Sequence, residues 1–212
     1  MAFALATVLC YGDSNTWGYN ARDGGRFPAD VRWPGVLRTS LGDGWCVIEE
    51  GLNGRTTVWD DPIEGYKNGK EYLIPCLETH KPFDLVIIAL GINDLKKRFS
   101  LSAWDIAAGA GVLVDIVRRS ETGPAGAAPK VLLVAPPVVG KLTDFADMFV
   151  GAPEKSRQLA EHFARVAAER HLPLLDSASI VKTTDLDGIH LDPAEHRKLG
   201  EALAAEVRQV LG

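Results

Sequence analysis

The sequence predicts an α/β domain, a five-stranded parallel sheet with helices on both faces. Short apolar runs alternate with longer segments of helical period along the 212 residues. Two of these runs, 84–90 and 130–135, are almost continuously apolar, as in strands covered on both faces, and so belong at the centre of the sheet. Gly, Pro or charged residues bound each run, which allows the chain to turn at its ends.

In chain order the strands are 6–11, 45–49, 84–90, 130–135 and 173–176. A helix over 102–119 ends in Arg118-Arg119, which complements the negative C-terminal dipole. A Gly/Pro/Ala linker, 123–129, follows it. Leu159, Phe163 and Val166 mark one face of a second helix, and Leu199, Leu203, Val207 and Val210 mark a face of the last. Asp192-Pro193-Ala194-Glu195 starts that last helix, with Asp192 as N-cap, Pro193 in the first position and Glu195 completing a capping box. His190 therefore lies in the loop just before it. No repeat or compositional break divides the chain, so 1–212 is read as one domain, long enough to bury roughly 70% of its unfolded surface.

Composition narrows the function. Hydrophobic residues at 46% and charged residues at 24% are ordinary for a globular protein and exclude disordered and fibrous classes. A net charge of -5, from 23 basic and 28 acidic residues with no basic block, argues against nucleic acid as a partner. Cys10, Cys46 and Cys76 are odd in number and widely spaced, so they are read as buried small hydrophobes and not as a disulfide framework or zinc site. The apolar start, Met1-Ala2-Phe3-Ala4-Leu5, lacks the basic flank and cleavage site of a signal peptide. With no run of ~20 apolar residues to span a bilayer, the expectation is a cytoplasmic protein without a membrane partner.

Acyl transfer by a serine needs a base, a carboxylate to orient it and donors for the developing oxyanion. Ser14 follows Gly12-Asp13 at the end of the first strand, where open α/β sheets bind ligands; an ordinary turn has the same composition. Asp187-Gly188-Ile189-His190 supplies a base and a carboxylate three residues apart, although such a pair alone also fits a surface loop. After the second and third strands, Gly51-Leu52-Asn53-Gly54-Arg55 and Gly91-Ile92-Asn93-Asp94 offer a Gly54 backbone N–H and an Asn93 amide as oxyanion donors. Either motif by itself is also normal turn chemistry. Trp17 and Tyr19, just beyond Ser14, either wall a substrate pocket or pack the first helix.

Taken together and in this order, the four motifs resemble the blocks of the SGNH (GDSL-type) serine hydrolase family. Val31-Arg32-Trp33, Glu49-Glu50-Gly51-Leu52, Arg55-Thr56-Thr57 and Asp60-Asp61-Pro62 further resemble its bacterial arylesterase/acyltransferase branch, which includes perhydrolases. The resemblance implies a flavodoxin-like three-layer α/β/α sandwich and a metal-free, cofactor-free site. In that site Ser14 is the nucleophile, His190 the base and Asp187 the orienting acid, and the oxyanion donors are the Ser14 and Gly54 N–H groups and the Asn93 side chain. It also implies homo-oligomers, some octameric. One departure stands out: Asn15 occupies the position where the family usually has leucine, which changes local packing and entrance polarity. Asp13 and Asp94 are read as loop-stabilising acceptors.

The connections 54–72 and 136–153 are long and carry Trp59, Tyr66, Pro136-Pro137, Phe145, Met148 and Phe149, so they are expected to rim the crevice or meet another subunit. His80, His162, His171 and His196 belong to no constellation, and the last three are read as solvated or capping residues. The expected activity is hydrolysis of small short-acyl esters through an acyl-serine, with alcohols or hydrogen peroxide as further acceptors by resemblance. The rivals are carbohydrate deacetylation, thioester or lysophospholipid hydrolysis by the same residues, and a flavodoxin-like binding module without catalysis.

Overall fold

A computed structural model describes residues 5–212, so all but the last residue of the apolar segment Met1–Leu5 lies outside the described residues. Five strands, β1 (Ala6–Gly12), β2 (Trp45–Gly51), β3 (Leu85–Ala89), β4 (Lys130–Ala135) and β5 (Leu174–Asp176), form one parallel sheet in the order β2-β1-β3-β4-β5. The helices are α1 (Ser14–Trp17), α2 (Trp33–Leu41), α3 (Gly69–His80), α4 (Ala103–Arg119), α5 (Ala152–Ser156), α6 (Leu159–Glu169) and α7 (Pro193–Leu211).

Side-chain alternation along the strands sorts the core into two layers. Val8, Cys10, Leu85, Ile87, Leu132 and Val134 face Trp33, Leu37 and Leu41 of α2 and Leu199, Leu203 and Val207 of α7. Leu9, Tyr11, Val86, Ile88, Val131 and Leu133 face α3, α4 and α6. A fully buried Val, Leu, Ile or Phe contributes about 1.5–3 kcal/mol, so the two layers hold the sheet from both sides. In the register Gly12 sits level with Gly51 and with Ala89, which brings the loops after β1, β2 and β3 to one edge. The chain leaves β1 for β2 on one side and returns to β3 on the other, and this reversal opens a crevice at the carboxyl ends.

Several expectations need correction. Asp192 is the N-cap of α7 but makes no side-chain cap bond. Glu195 instead accepts the Lys182 backbone N–H at 3.1 Å and the Lys198 ammonium at 2.7 Å, because the 182 loop passes within reach and competes for the carboxylate. The capping box forms instead on α4, between Ser102 and Asp105. His196 is neither solvated nor capping. It is fully buried, with the Trp33 N–H donating to Nδ1 at 3.3 Å and Phe27 edge-on at 5.5 Å. Burial pushes its pKa down to about 3, so it is a neutral core residue. Cys10 and Cys76 are buried, whereas Cys46 is only partly covered. The helices α2 and α3 carry weak sequence signals, since Pro34-Gly35 opens one and Pro75 sits inside the other.

Candidate active site

The end of β1 presents Ser14. Gly12 closes the strand, Asp13 caps the next turn by accepting the Asn15 N–H at 3.0 Å, and Ser14 is the first residue of α1. As a first helical residue it has no intrahelical partner for its N–H. The 187–191 loop reaches the same edge from the far end of the chain. Asp187 Oδ1 accepts the N–H groups of Ile189 at 2.8 Å and His190 at 2.9 Å, which folds the loop around its own carboxylate. Gly188 allows this, with φ of 78° and a missing Cβ that would sit 2.5 Å from the Lys141 carbonyl oxygen.

The His190 imidazole then lies between two partners, with Nδ1 2.6 Å from Asp187 Oδ2 and Nε2 2.9 Å from Ser14 Oγ. With the proton on Nδ1 held by Asp187, Nε2 is the acceptor for the Ser14 hydroxyl. The three residues are 5%, 3% and 5% exposed for Ser14, Asp187 and His190, so the row is shielded but reachable from one side. Burial raises the Asp187 carboxyl, and the bonds and charge of His190 with the two backbone N–H groups outweigh it, holding the pKa below the usual carboxylate range. The Tyr19 ring is tilted over the imidazole at 4.2 Å, and Phe145 meets it edge-on at 6.0 Å.

Gly54 and Asn93 border the same cavity of about 250 Å³ as Ser14 and His190. The Asn93 amide donates one N–H to the Arg55 carbonyl at 3.1 Å, leaving its second for an occupant. Gly54 has φ of 82°, and a Cβ there would lie 2.6 Å from Glu64 Oε2. Arg55 locks the two loops together: its guanidinium donates to the carbonyls of Gly12 and Glu50 and covers the Tyr11 ring at 4.2 Å. Asp13 and Asp94 are buried acceptors, as read from sequence. Burial lifts Asp13 to about 7 against the Asn15 N–H bond, and lifts Asp94 to about 6 against its bonds from Thr57.

Tyr19, Phe145, Met148, Phe149 and Ile189 form the apolar side of the cavity. Trp17 does not line it: its ring lies under the Arg26 guanidinium at 5.1 Å, so it packs the loop after α1. In the 54–72 connection Trp59 packs on the core and Tyr66 projects fully into solvent, so neither rims the cavity. Sequence reading gave no role to the polar side, Asn53, Glu64, Lys67 and Lys96. Lys96 is buried and pairs with Asp61 at 3.3 Å and Glu64 at 2.6 Å, and Arg98 joins both acids. Burial raises the Asp61 carboxyl, but the N–H groups of Ile63 and Glu64 and the Lys96 ammonium hold it down to about 2. The Asp60-Asp61-Pro62 motif was the one visible signal of this network.

His80 does have partners. Glu50, Cys76 and His80 bring donor atoms within 4.8 Å of one another. Glu50 and His80 already pair at 3.1 Å, and burial with the Glu50 charge pushes the Cys76 thiol up to about 12 against the nearby Arg55 guanidinium. The set is thus explained as a Glu50–His80 side-chain contact beside a core cysteine.

A model of the GDSL-like lipase/acylhydrolase family matches residues 10–198. A search of curated proteins returns no match. Among solved structures, the chain is similar to the inhibitor-bound M. smegmatis aryl esterase, at 44% identity, covering 97% of this chain and 99% of that one, with a TM-score of 0.93. It is similar to Est24, a carbohydrate acetylesterase from Sinorhizobium meliloti, at 40% identity, 96% and 99% coverage and a TM-score of 0.92.

Proposed function

The chain belongs to the GDSL-like lipase/acylhydrolase family and is a carboxylic ester hydrolase, and from that premise we propose a short-acyl esterase working through an acyl-serine formed on Ser14. The observation that carries this reading is the unbroken row Ser14 Oγ, His190 Nε2, His190 Nδ1, Asp187 Oδ2, with contacts of 2.9 and 2.6 Å. Ser14 Oγ attacks the ester carbonyl carbon as its proton passes to His190 Nε2, and Asp187 stabilises the imidazolium. The carbonyl oxygen becomes an oxyanion held by the N–H groups of Ser14 and Gly54 and the free N–H of Asn93, each worth about 3–4 kcal/mol to the transition state. The carbon–oxygen bond to the alcohol then breaks, and His190 returns the proton to the leaving alkoxide. Water, deprotonated by the same nitrogen, attacks the acyl-serine; the bond to Ser14 Oγ breaks, His190 returns the proton to that oxygen, and the acid leaves.

The small cavity and its aromatic side support acetyl and butyryl groups over long chains. Alcohols, and hydrogen peroxide, replace water as acceptor; acyl transfer in excess alcohol above the solution background tests this. Three free cysteines suit a reducing cytoplasm, and no described helix is long and apolar enough to cross a membrane. Ile63 and Tyr66, 75% and 102% exposed on the long connection after β2, support self-association of the 1–212 domain into a homo-oligomer such as an octamer, which sedimentation would measure.

A second reading, deacetylation of carbohydrate esters, is favoured by the polar side. Glu64, Lys67 and Lys96 line it beside Asn53, so a hydroxylated alcohol would meet hydrogen-bonding side chains there. The deciding experiment compares p-nitrophenyl acetate, butyrate and octanoate with the wild type and Ser14→Ala. Acetate or butyrate should turn over fastest, and Ser14→Ala should lose ~10³-fold or more. An alanine variant as active as the wild type would overturn the mechanism; octanoate turning over fastest would point to a lipid ester.

A further inference from the structure

Ser14 and His190 are 176 residues apart in sequence, and their direct contact is a single hydrogen bond of 2.9 Å. A lone hydrogen bond nets little once its exchange with water is counted, too little to fix a loop against a turn on another element. The residue after the serine supplies a further hold. Asn15 Nδ2 donates to the Ile189 carbonyl at 3.3 Å, and Asn15 Oδ1 accepts the Leu191 N–H at 3.1 Å. Ile189 and Leu191 are the two neighbours of His190, so one buried amide grips the peptide chain on either side of the base.

The backbone around His190 is then fully satisfied. Asp187 takes the N–H groups of Ile189 and His190, Asn15 takes the Ile189 carbonyl and the Leu191 N–H, and the His190 carbonyl accepts from Thr184 N at 2.7 Å. Asn15 is itself fixed, because its own N–H is held by Asp13. The chemistry of the grip is specific. Bridging a carbonyl and an N–H requires a donor and an acceptor on one planar head, which an amide has. A carboxylate would face the Ile189 carbonyl oxygen with another lone pair, and leucine would offer neither group.

We propose that Asn15 is a positioning residue that sets the His190 imidazole in register with the Ser14 hydroxyl. This rests on the reading of Ser14 and His190 as nucleophile and base. Asn15 does not itself line the cavity, so its removal should slow acylation without weakening substrate binding. A misplacement of about 1 Å in such a row costs up to about 100-fold in rate.

The test uses Asn15→Leu, close in size and apolar in a buried position, and Asn15→Asp, which keeps the acceptor and loses the donor. On p-nitrophenyl acetate both variants should lose kcat about 10- to 100-fold with KM within about twofold of wild type. The rate at which phenylmethylsulfonyl fluoride sulfonylates Ser14 should fall by a similar factor, since that reaction reads the Ser14–His190 pair without an ester. Thermal melting should show each variant folded at the assay temperature. The proposal is overturned if Asn15→Leu keeps kcat and sulfonylation within about twofold of wild type, or if its losses only follow the unfolded fraction. Ser14→Ala assayed in parallel separates the two levels: if it stays active, the reading of the nucleophile has failed and not the role of Asn15.

Discussion

Two loops border the same serine, and they are built on opposite terms. In the 187–191 loop every backbone polar group from the Ile189 N–H to the Leu191 N–H has a partner, and the Asp187 carboxylate is fully engaged. Along the 53–67 wall, Asn53 Oδ1 is buried without a partner, and Lys67 has no carboxylate within 4.0 Å among the described residues. Both loops are anchored, the second by buried Lys96 and Asp61 with Glu64 and Arg98 around them, but only the second lines the cavity with charged side chains, Glu64 and Lys67. On the proposed reading, reaction geometry is set in advance where nothing is left to bind, and recognition is placed where something is.

That contrast can be broken or sharpened by substitution. The largest effect is expected from Asp187→Asn, which removes the acceptor that holds His190 Nδ1–H: kcat should fall about 10³- to 10⁴-fold, and a loss below tenfold would show that the saturated loop is only a support. Asn93→Ala should lower kcat about 10²- to 10³-fold through loss of an oxyanion donor, measured on p-nitrophenyl acetate.

A pH experiment separates the buried carboxylates by sign. Asp94, raised to about 6 by burial against its Thr57 bonds, binds its proton more tightly folded than unfolded. Its contribution to stability is therefore full below the unfolded value near 4 and is lost as pH rises through about 6. Asp187 has the opposite sign: its contribution is present above the unfolded value and is lost as pH falls through its depressed folded value. Asp94→Asn should flatten the pH dependence of the unfolding free energy between pH 4 and 6 by an amount on the order of 2 kcal/mol, and an unchanged dependence would refute the assignment. The smallest effect belongs to the open wall. Lys67→Met and Asn53→Ala should change the ratio of acetylated-sugar to p-nitrophenyl acetate hydrolysis about three- to tenfold, with p-nitrophenyl acetate rates nearly constant; an unchanged ratio would remove the carbohydrate reading.

How much could be read from sequence follows the same division. The strands were legible because a doubly covered strand writes itself as an apolar run, and 130–135 coincides with β4. The motifs around Ser14, Asn93, Asp187 and His190 were legible because each is short and closed by local turn chemistry. The roles of Asn15, Lys96 and His196 were not, because each depends on a partner far away in sequence: Ile189 and Leu191 for Asn15, Asp61 for Lys96, Trp33 for His196. The misread capping box has the same origin, since Lys182 competes for a carboxylate that local spacing assigns to its own helix.

On the proposed reading the nucleophile, Ser14, and the base, His190, lie 176 residues apart, the second just before α7, which packs against α2. Synthesis runs from the N-terminus, so a growing chain carries Ser14, Gly54 and Asn93 long before it carries His190. A chain clipped within the last loop is likewise left with a serine and no base. On that reading, ester cleavage appears in synthesis only once residue 190 has been made, and a cut that parts residue 14 from residue 190 and lets the pieces separate abolishes it.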